Sequence, residues 1–166
     1  RGVRTRCSDD LLWLVWALCE YVETTGEEEL CSIEEPFLSS TPLKDEEHDR
    51  YERPEKSAKS AAVLEHARAA LECCIHRGFG KHGLPYTGSG DWNDALDRVG
   101  GESVWLGWFF AYCAARFAEL LERLGADGAA HYRQYAAEAG SAADAEHFAA
   151  VAAARNRLAV AVESEI

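Results

Sequence analysis

The segment from Gly83 to Phe109 reads GLPYTGSGDWNDALDRVGGESVWLGWF and differs in composition from the rest of the chain. Seven of the thirteen glycines lie between Gly78 and Gly101, and three of the five tryptophans lie within the quoted segment. Because glycine costs backbone entropy and weakens helices, this concentration predicts a loop whose exact shape matters. We call residues 78–102 the glycine-rich loop and expect the fold to be organised around it.

Apolar residues recur at helical spacing on both sides of this loop, and no segment shows convincing period-two alternation. The sequence therefore predicts an all-α chain of about five helices joined as hairpins. Ser8 is interpreted as the capping hydroxyl of the first helix and Gly26 as its stop, while Ser103 caps the third, which Gly125 ends. The predicted helices cover residues 11–22, 57–77, 103–124, 128–139 and 141–163, and Gly140 separates the last two.

Residues 27–56 have a different composition from the helical segments. Five glutamates lie between Glu27 and Glu35, and three prolines in this segment forbid a continuous helix: Pro36, Pro42 and Pro54. Two interpretations stay open, a solvated connector or an acidic surface excursion that leads to a functional site.

Composition excludes several classes of protein. The net charge of −12 argues against a nucleic-acid partner, which needs clustered Lys and Arg. The six cysteines show no C-x-x-C spacing, and Cys19, Cys74 and Cys113 fall in apolar helical patterns, so we expect buried, reduced thiols and no metal site or cofactor. That chemistry predicts a cytoplasmic environment, for a free protein or for a soluble domain of a membrane-anchored parent.

The chain has no methionine and begins at Arg1, so we expect it to be an excerpt of a longer protein.

The chemistry-bearing residues cluster in Gly90-Asp91-Trp92-Asn93-Asp94. An indole beside two carboxylates suits a sugar, since the ring packs on C–H groups while the carboxylates bind hydroxyls. A carboxyl group in a dry pocket can also have a raised pKa and act as a general acid. The alternative, an aspartate helix cap with a packing tryptophan, stays open on this chemistry alone.

The quoted segment, together with TRCSDDLLWL at Thr5–Leu14, resembles glycoside hydrolase family 94. That family contains cellobiose and chitobiose phosphorylases and the phosphorylase-like domain of cyclic β-1,2-glucan synthases, and the motifs here are more similar to the glucan-synthase branch. The resemblance implies an (α/α)6 barrel with its site at one end. Residues 1–166 would then be a partial catalytic domain, incomplete at both ends and in need of the remainder of its own barrel.

The resemblance also implies roles for individual residues. Asp94 matches the family's general acid, and Trp92 matches the tryptophan that lines the glucosyl subsite. Asp10 matches an aspartate that contacts the same sugar. An arginine near it also contacts this sugar in the family; Arg4 is our choice for it, and Arg6 is the close alternative.

We interpret Asp91 as structural. The sequence departs from the family pattern nearby, for example at Asp97, where asparagine is expected.

The implied reaction is inverting phosphorolysis of a β-glucoside, or its reverse. Inorganic phosphate is the nucleophile, so one protein acid suffices and α-glucose 1-phosphate is formed. The expected partners are a β-glucan or β-gluco-oligosaccharide and phosphate or glucose 1-phosphate. The family's phosphate-binding residues lie downstream of this chain, so we expect the isolated chain to be inactive. Three alternatives stay open: a non-catalytic carbohydrate-binding or scaffold remnant, a cellobiose-type phosphorylase, and an ordinary inverting hydrolase, which would need a second carboxylate.

Overall fold

The computed structural model describes residues 2–92 and 101–164. Within these residues the chain is mostly helical, with short strands near its N-terminus. The helices are α1 (Leu12–Thr25), a 3-10 helix (Glu28–Ser32), α2 (Val63–Arg77), α3 (Val104–Leu124) and α4 (Ala129–Ser164). The strands are β1 (Gly2–Thr5), β2 (Glu34–Ser39), β3 (Asp49–Glu52) and β4 (Glu55–Ala62).

The ends of α1 and α3 show how local chemistry sets helix boundaries. The Ser103 hydroxyl accepts a hydrogen bond from the N–H of Leu106 at 3.1 Å, as the capping prediction requires. Gly26 and Gly125 end the two helices with left-handed backbone conformations, at φ 75° and 64°. These three predictions are confirmed. The predicted cap at Ser8 is wrong, because α1 begins at Leu12 with no side-chain cap.

The strands correct the all-α prediction. β1 pairs antiparallel with β3, and β2 pairs antiparallel with β4, forming two separate two-stranded sheets. The segment expected to open the second helix at Ser57 is part of β4, and α2 begins only at Val63. Most side chains of β4 are exposed, so no buried face imposes the period-two pattern by which strands are found in a sequence.

The predicted break at Gly140 is also wrong, since α4 runs through it. One glycine costs a helix about 1 kcal/mol, and the alanine-rich flanks are strong helix formers. Packing supplies the rest, because Ala139 and Ala143 on either side are buried. Gly140 itself lies against Ala111 of α3, where an added Cβ would lie 3.5 Å from the Ala111 Cβ. Tertiary contact with α3 therefore overrides the local breaking signal.

The hydrophobic core is centred on α3, which packs against α1 and α4, while α1 packs against α2. Phe110, Phe117 and Leu121 of α3 are fully buried. Phe117 meets Tyr132 of α4 edge to face, with ring centroids 5.2 Å apart. In the described part of the chain, α3 is also long and apolar enough to cross a membrane, but half of its most apolar window is buried inside the protein.

The mostly helical class is therefore correct, and the strictly all-α class is not. The described chain contains four α-helices rather than about five, because two predicted helices are one. The (α/α)6 barrel stays a prediction.

Candidate functional site

The glycine-rich loop is attached to the N-terminal segment by backbone contacts. The N–H and hydroxyl of Ser8 both donate to the carbonyl oxygen of Gly90, at 3.0 and 2.9 Å. The N–H of Ser89 donates to the carbonyl of Arg6 at 3.3 Å, and Cys7 forms an isolated antiparallel bridge with Gly88. The hydroxyl predicted to cap a helix is thus used to attach the loop.

The two ends of the loop are hydrogen-bonded to each other. The N–H of Thr87 donates to the carbonyl of Gly101 at 2.9 Å, and the N–H of Ser103 donates to the carbonyl of Pro85 at 3.2 Å. These bonds pair the two ends of the loop, and we call the paired residues 85–87 and 101–103 the base of the loop. In the sequence, the residues singled out above lie between them.

Asp91 connects the glycine-rich loop to the start of α3. Its side chain is only 8% exposed, and its Oδ2 accepts a hydrogen bond from the Ser103 hydroxyl at 2.6 Å. The same hydroxyl oxygen caps α3. Asp91 thus holds the loop, as interpreted from the sequence.

Trp92 follows Asp91 and is 63% exposed. Its ring lies 6.0 Å from that of Trp105, whose ring lies 5.2 Å from Phe109. Phe109 in turn packs on Trp13 of α1, with centroids 4.5 Å apart. An aromatic ring that packs against a neighbouring ring and is open to solvent can also pack on the apolar face of a sugar. Asp94, the predicted general acid, lies outside the described residues.

The other predicted site residues lie in or near β1. Asp10 is exposed and accepts a hydrogen bond from the Thr5 hydroxyl. Arg4 donates to the carbonyl oxygen of Ser40, at 3.2 Å, and to its hydroxyl. The structure thus brings the backbone before Asp10 to the backbone before Trp92, whereas Arg4 contacts the acidic excursion.

Arg6, the other candidate arginine, contacts the same segment. Arg6 donates through Nη2 to the carbonyl oxygens of Leu43 and Lys44, at 3.1 and 2.7 Å. Residues 40–44 therefore lie against the N-terminal arginines, and both interpretations of residues 27–56 stay predictions.

With this geometry in place, comparison with known proteins identifies the family. The family described as "Glycosyl hydrolase 94 superfamily, catalytic domain" matches residues 1–148. The chain belongs to the glycosyl hydrolase 94 superfamily. Its membership confirms the resemblance stated from the motifs.

Characterised relatives of this glycosyl hydrolase 94 chain include enzymes of two kinds. A cyclic beta-(1,2)-glucan synthase, NdvB of Rhizobium meliloti (strain 1021), is 44% identical over 114 residues, which are 66% of this chain and 4% of NdvB. An N,N'-diacetylchitobiose phosphorylase of Vibrio proteolyticus is 31% identical over 126 residues, 76% of this chain and 13% of that enzyme. The corresponding enzyme of Vibrio furnissii is 29% identical over 119 residues, 72% of this chain and 12% of its own length. The chain thus spans a small fraction of each relative.

Sequence reasoning missed Asp9, which the structure distinguishes from its neighbour Asp10. Asp9 is 4% exposed, and its Oδ2 accepts a hydrogen bond from Nε1 of Trp13 at 3.1 Å. Burial is the main cause that raises the pKa of Asp9, and the charges of Asp10 and Asp91 add to it. A carboxylate four residues before an indole at the start of a helix was the available signal.

We expect Asp9→Asn to flatten the dependence of folding stability on pH. Because the pKa of Asp9 is raised from 3.8, the folded chain keeps a proton over a range where the unfolded chain has lost it. The contribution of Asp9 to folding stability therefore falls as pH rises through that range above 3.8, and an asparagine at this position makes no such contribution. Urea unfolding between acidic and neutral pH measures this. Asp127→Asn on an exposed turn is the control, and parallel curves for the Asp9 variant and the natural chain would contradict the assignment.

The buried thiols do not supply a nucleophile. Burial raises the pKa of Cys19 to about 12 and of Cys74 to about 11, so both stay protonated at neutral pH. Cys19, Cys74 and Cys113 are buried, as the sequence predicts. Within residues 2–92 and 101–164, no three His, Cys, Asp or Glu side chains are grouped so that they could hold a metal ion.

Proposed function

We propose that the protein containing this chain catalyses inverting phosphorolysis of β-glucosides, or the reverse transfer, with Asp94 as general acid. The observation that carries the proposal is the attachment of the glycine-rich loop to the segment before Asp10, beside the exposed ring of Trp92. This attachment puts Trp92, the proposed sugar platform, and Asp10, the proposed hydroxyl-binding carboxylate, on adjoining backbone segments.

Four side chains of this chain take part in the proposed reaction. Trp92 packs on the C–H face of the glucosyl unit, while Asp10 and Arg4 bind its hydroxyls. Asp94 protonates the glycosidic oxygen as the bond breaks, a step for which a positioned acid contributes about 10²–10⁴-fold. Phosphate attacks the anomeric carbon from the opposite face and leaves as α-glucose 1-phosphate. Because phosphate is already an anion, no second protein carboxylate is needed to activate it.

The proposed substrate is a β-1,2-linked gluco-oligosaccharide. The relative named a cyclic beta-(1,2)-glucan synthase is 44% identical to this chain, against 31% and 29% for the chitobiose phosphorylases. The proposed setting is cytoplasmic, in a free enzyme or in a domain of a membrane-anchored protein. The remaining helices of the barrel, with the phosphate-binding residues, would come from the rest of the protein.

The test is a phosphate-dependence assay on the whole protein, with β-1,2-gluco-oligosaccharides, cellobiose and chitobiose as substrates. We expect glucose 1-phosphate to be released from the β-1,2-linked substrate only when phosphate is present. Release of free glucose without phosphate would instead indicate a hydrolase, and sugar binding without any turnover would indicate a non-catalytic carbohydrate-binding domain.

We expect Trp92→Ala to weaken sugar binding by about tenfold, because the sugar loses its aromatic platform. The Michaelis constant for the oligosaccharide in the whole protein measures the loss. Trp108→Ala is a matched control, since Trp108 is also partly exposed but donates its Nε1–H to Asp144 of α4 at 2.8 Å. Equal effects of the two substitutions, or none from Trp92→Ala, would contradict the subsite role.

A further inference from the structure

One acidic side chain, Glu102, fills the base of the glycine-rich loop. Its Oε2 accepts hydrogen bonds from the N–H groups of His82 at 2.9 Å and of Leu84 at 3.2 Å. Its Oε1 lies 3.0 Å from Nδ1 of His82. The side chain of Glu102 is 12% exposed. One carboxylate therefore joins residues 82–84, on the first side of the loop, to residue 102, next to Gly101 on the other side.

The backbone at this base is shaped to receive the carboxylate. At Gly80 an added Cβ would lie 2.1 Å from Cδ and 2.3 Å from Oε1 of Glu102, so the space of the missing side chain is occupied by the glutamate. The N–H of Gly80 donates to the carbonyl of Leu84 at 2.9 Å, and that of Gly83 donates to the carbonyl of Gly80 at 3.0 Å. This tight turn aims the two N–H groups of His82 and Leu84 at one acceptor.

The charge state of Glu102 fits this arrangement. Burial alone would raise the pKa of Glu102, but the N–H groups of Leu84 and His82 and the His82 ring together hold it below its ordinary value. The carboxylate is therefore ionised, and hydrogen bonds to an ionised acceptor are the stronger kind.

We propose that Glu102 is a positioning residue whose carboxylate closes the base of the glycine-rich loop and so fixes the placement of Trp92, in the loop whose sequence also contains Asp94. The proposal rests on the function proposed above for those two residues. It assigns Glu102 no contact with substrate. A shift of about 1 Å in a catalytic group can cost about a hundredfold in rate, so a rigid base matters most for the bond-breaking step.

Hydrogen exchange at individual amides of the whole protein tests the closure without reference to activity. In Glu102→Ala we expect the amides of His82 and Leu84 to exchange about tenfold faster than in the natural chain. Glu102→Gln keeps one carbonyl acceptor and should give a smaller increase, a partial rescue that mere loss of folding would not produce. Glu119→Gln, on α3 and exposed beside Arg116, is the matched control and should leave both amides unchanged.

Kinetics of the whole protein test the positioning role. In Glu102→Ala we expect kcat for phosphorolysis to fall by about tenfold or more while the Michaelis constant for phosphate stays the same. Unchanged exchange at both amides would overturn the closure itself. Faster exchange with unchanged kcat would overturn the positioning role. If the natural protein shows no phosphorolysis, the function proposed for Asp94 fails, but the exchange experiment still decides whether Glu102 closes the loop.

Discussion

Replacing Asp94 by asparagine should reduce phosphate-dependent release of glucose 1-phosphate by the whole protein by about 10³-fold. Asparagine has nearly the same shape as aspartate but cannot donate a proton to the departing glycosidic oxygen. The fold should be intact, because the substitution removes no apolar contact. Turnover of a β-1,2-gluco-oligosaccharide with saturating phosphate, together with circular dichroism and thermal unfolding, measures both expectations.

Two controls make this result specific to proton donation. Asp97→Asn makes the same change three residues further on and restores the residue expected at that position of the family pattern, so activity should be kept. An aryl β-glucoside whose phenol leaves without protonation should be turned over by Asp94→Asn far better than the natural substrate is. Retention of most activity on the oligosaccharide by Asp94→Asn would refute the assignment of Asp94 as general acid.

The helices were predictable because their signals are local. Ser103 and Gly125 mark the two ends of α3 by capping chemistry, and the structure uses both as predicted. Where prediction failed, a distant partner decided the outcome. Ser8 looked like a cap, but its hydroxyl donates to Gly90, 82 residues away in the chain. Gly140 looked like a break, but packing against α3 holds the helix through it.

The same distinction applies to the candidate site. The residue types of the Asp91–Asp94 motif indicated sugar chemistry, and the family resemblance that it carried is confirmed. The different roles of Asp9 and Asp10 could not be read from two adjacent aspartates. Only the structure shows that Asp9 is buried and accepts a hydrogen bond from Trp13, while Asp10 is exposed. Glu102 likewise lies 20 residues from His82 in the chain, with no periodic pattern to connect them.

Replacing Gly88 by alanine should have the largest effect on stability of the substitutions considered, with a loss of about 3 kcal/mol in the free energy of unfolding. Gly88 has φ 62°, and an added Cβ would lie 2.3 Å from the carbonyl oxygen of Arg6. That neighbour is backbone, so no side-chain rotation relieves the clash. The bridge between Cys7 and Gly88 must open, and with it the attachment of the loop to the segment that carries Asp10.

Gly125→Ala separates the clash from the cost of the backbone conformation. Gly125 has φ 64°, nearly the same as Gly88, but an added Cβ would meet no atom within 4 Å. Its loss should therefore be about 1 kcal/mol, the cost of a left-handed alanine. Urea unfolding of both variants gives the difference, and faster hydrogen exchange at Ser8 and Ser89 in Gly88→Ala alone would locate it at the loop attachment. Equal destabilisation by the two substitutions would contradict a clash with Arg6. The left-handed backbone conformation would then account for the whole loss of stability.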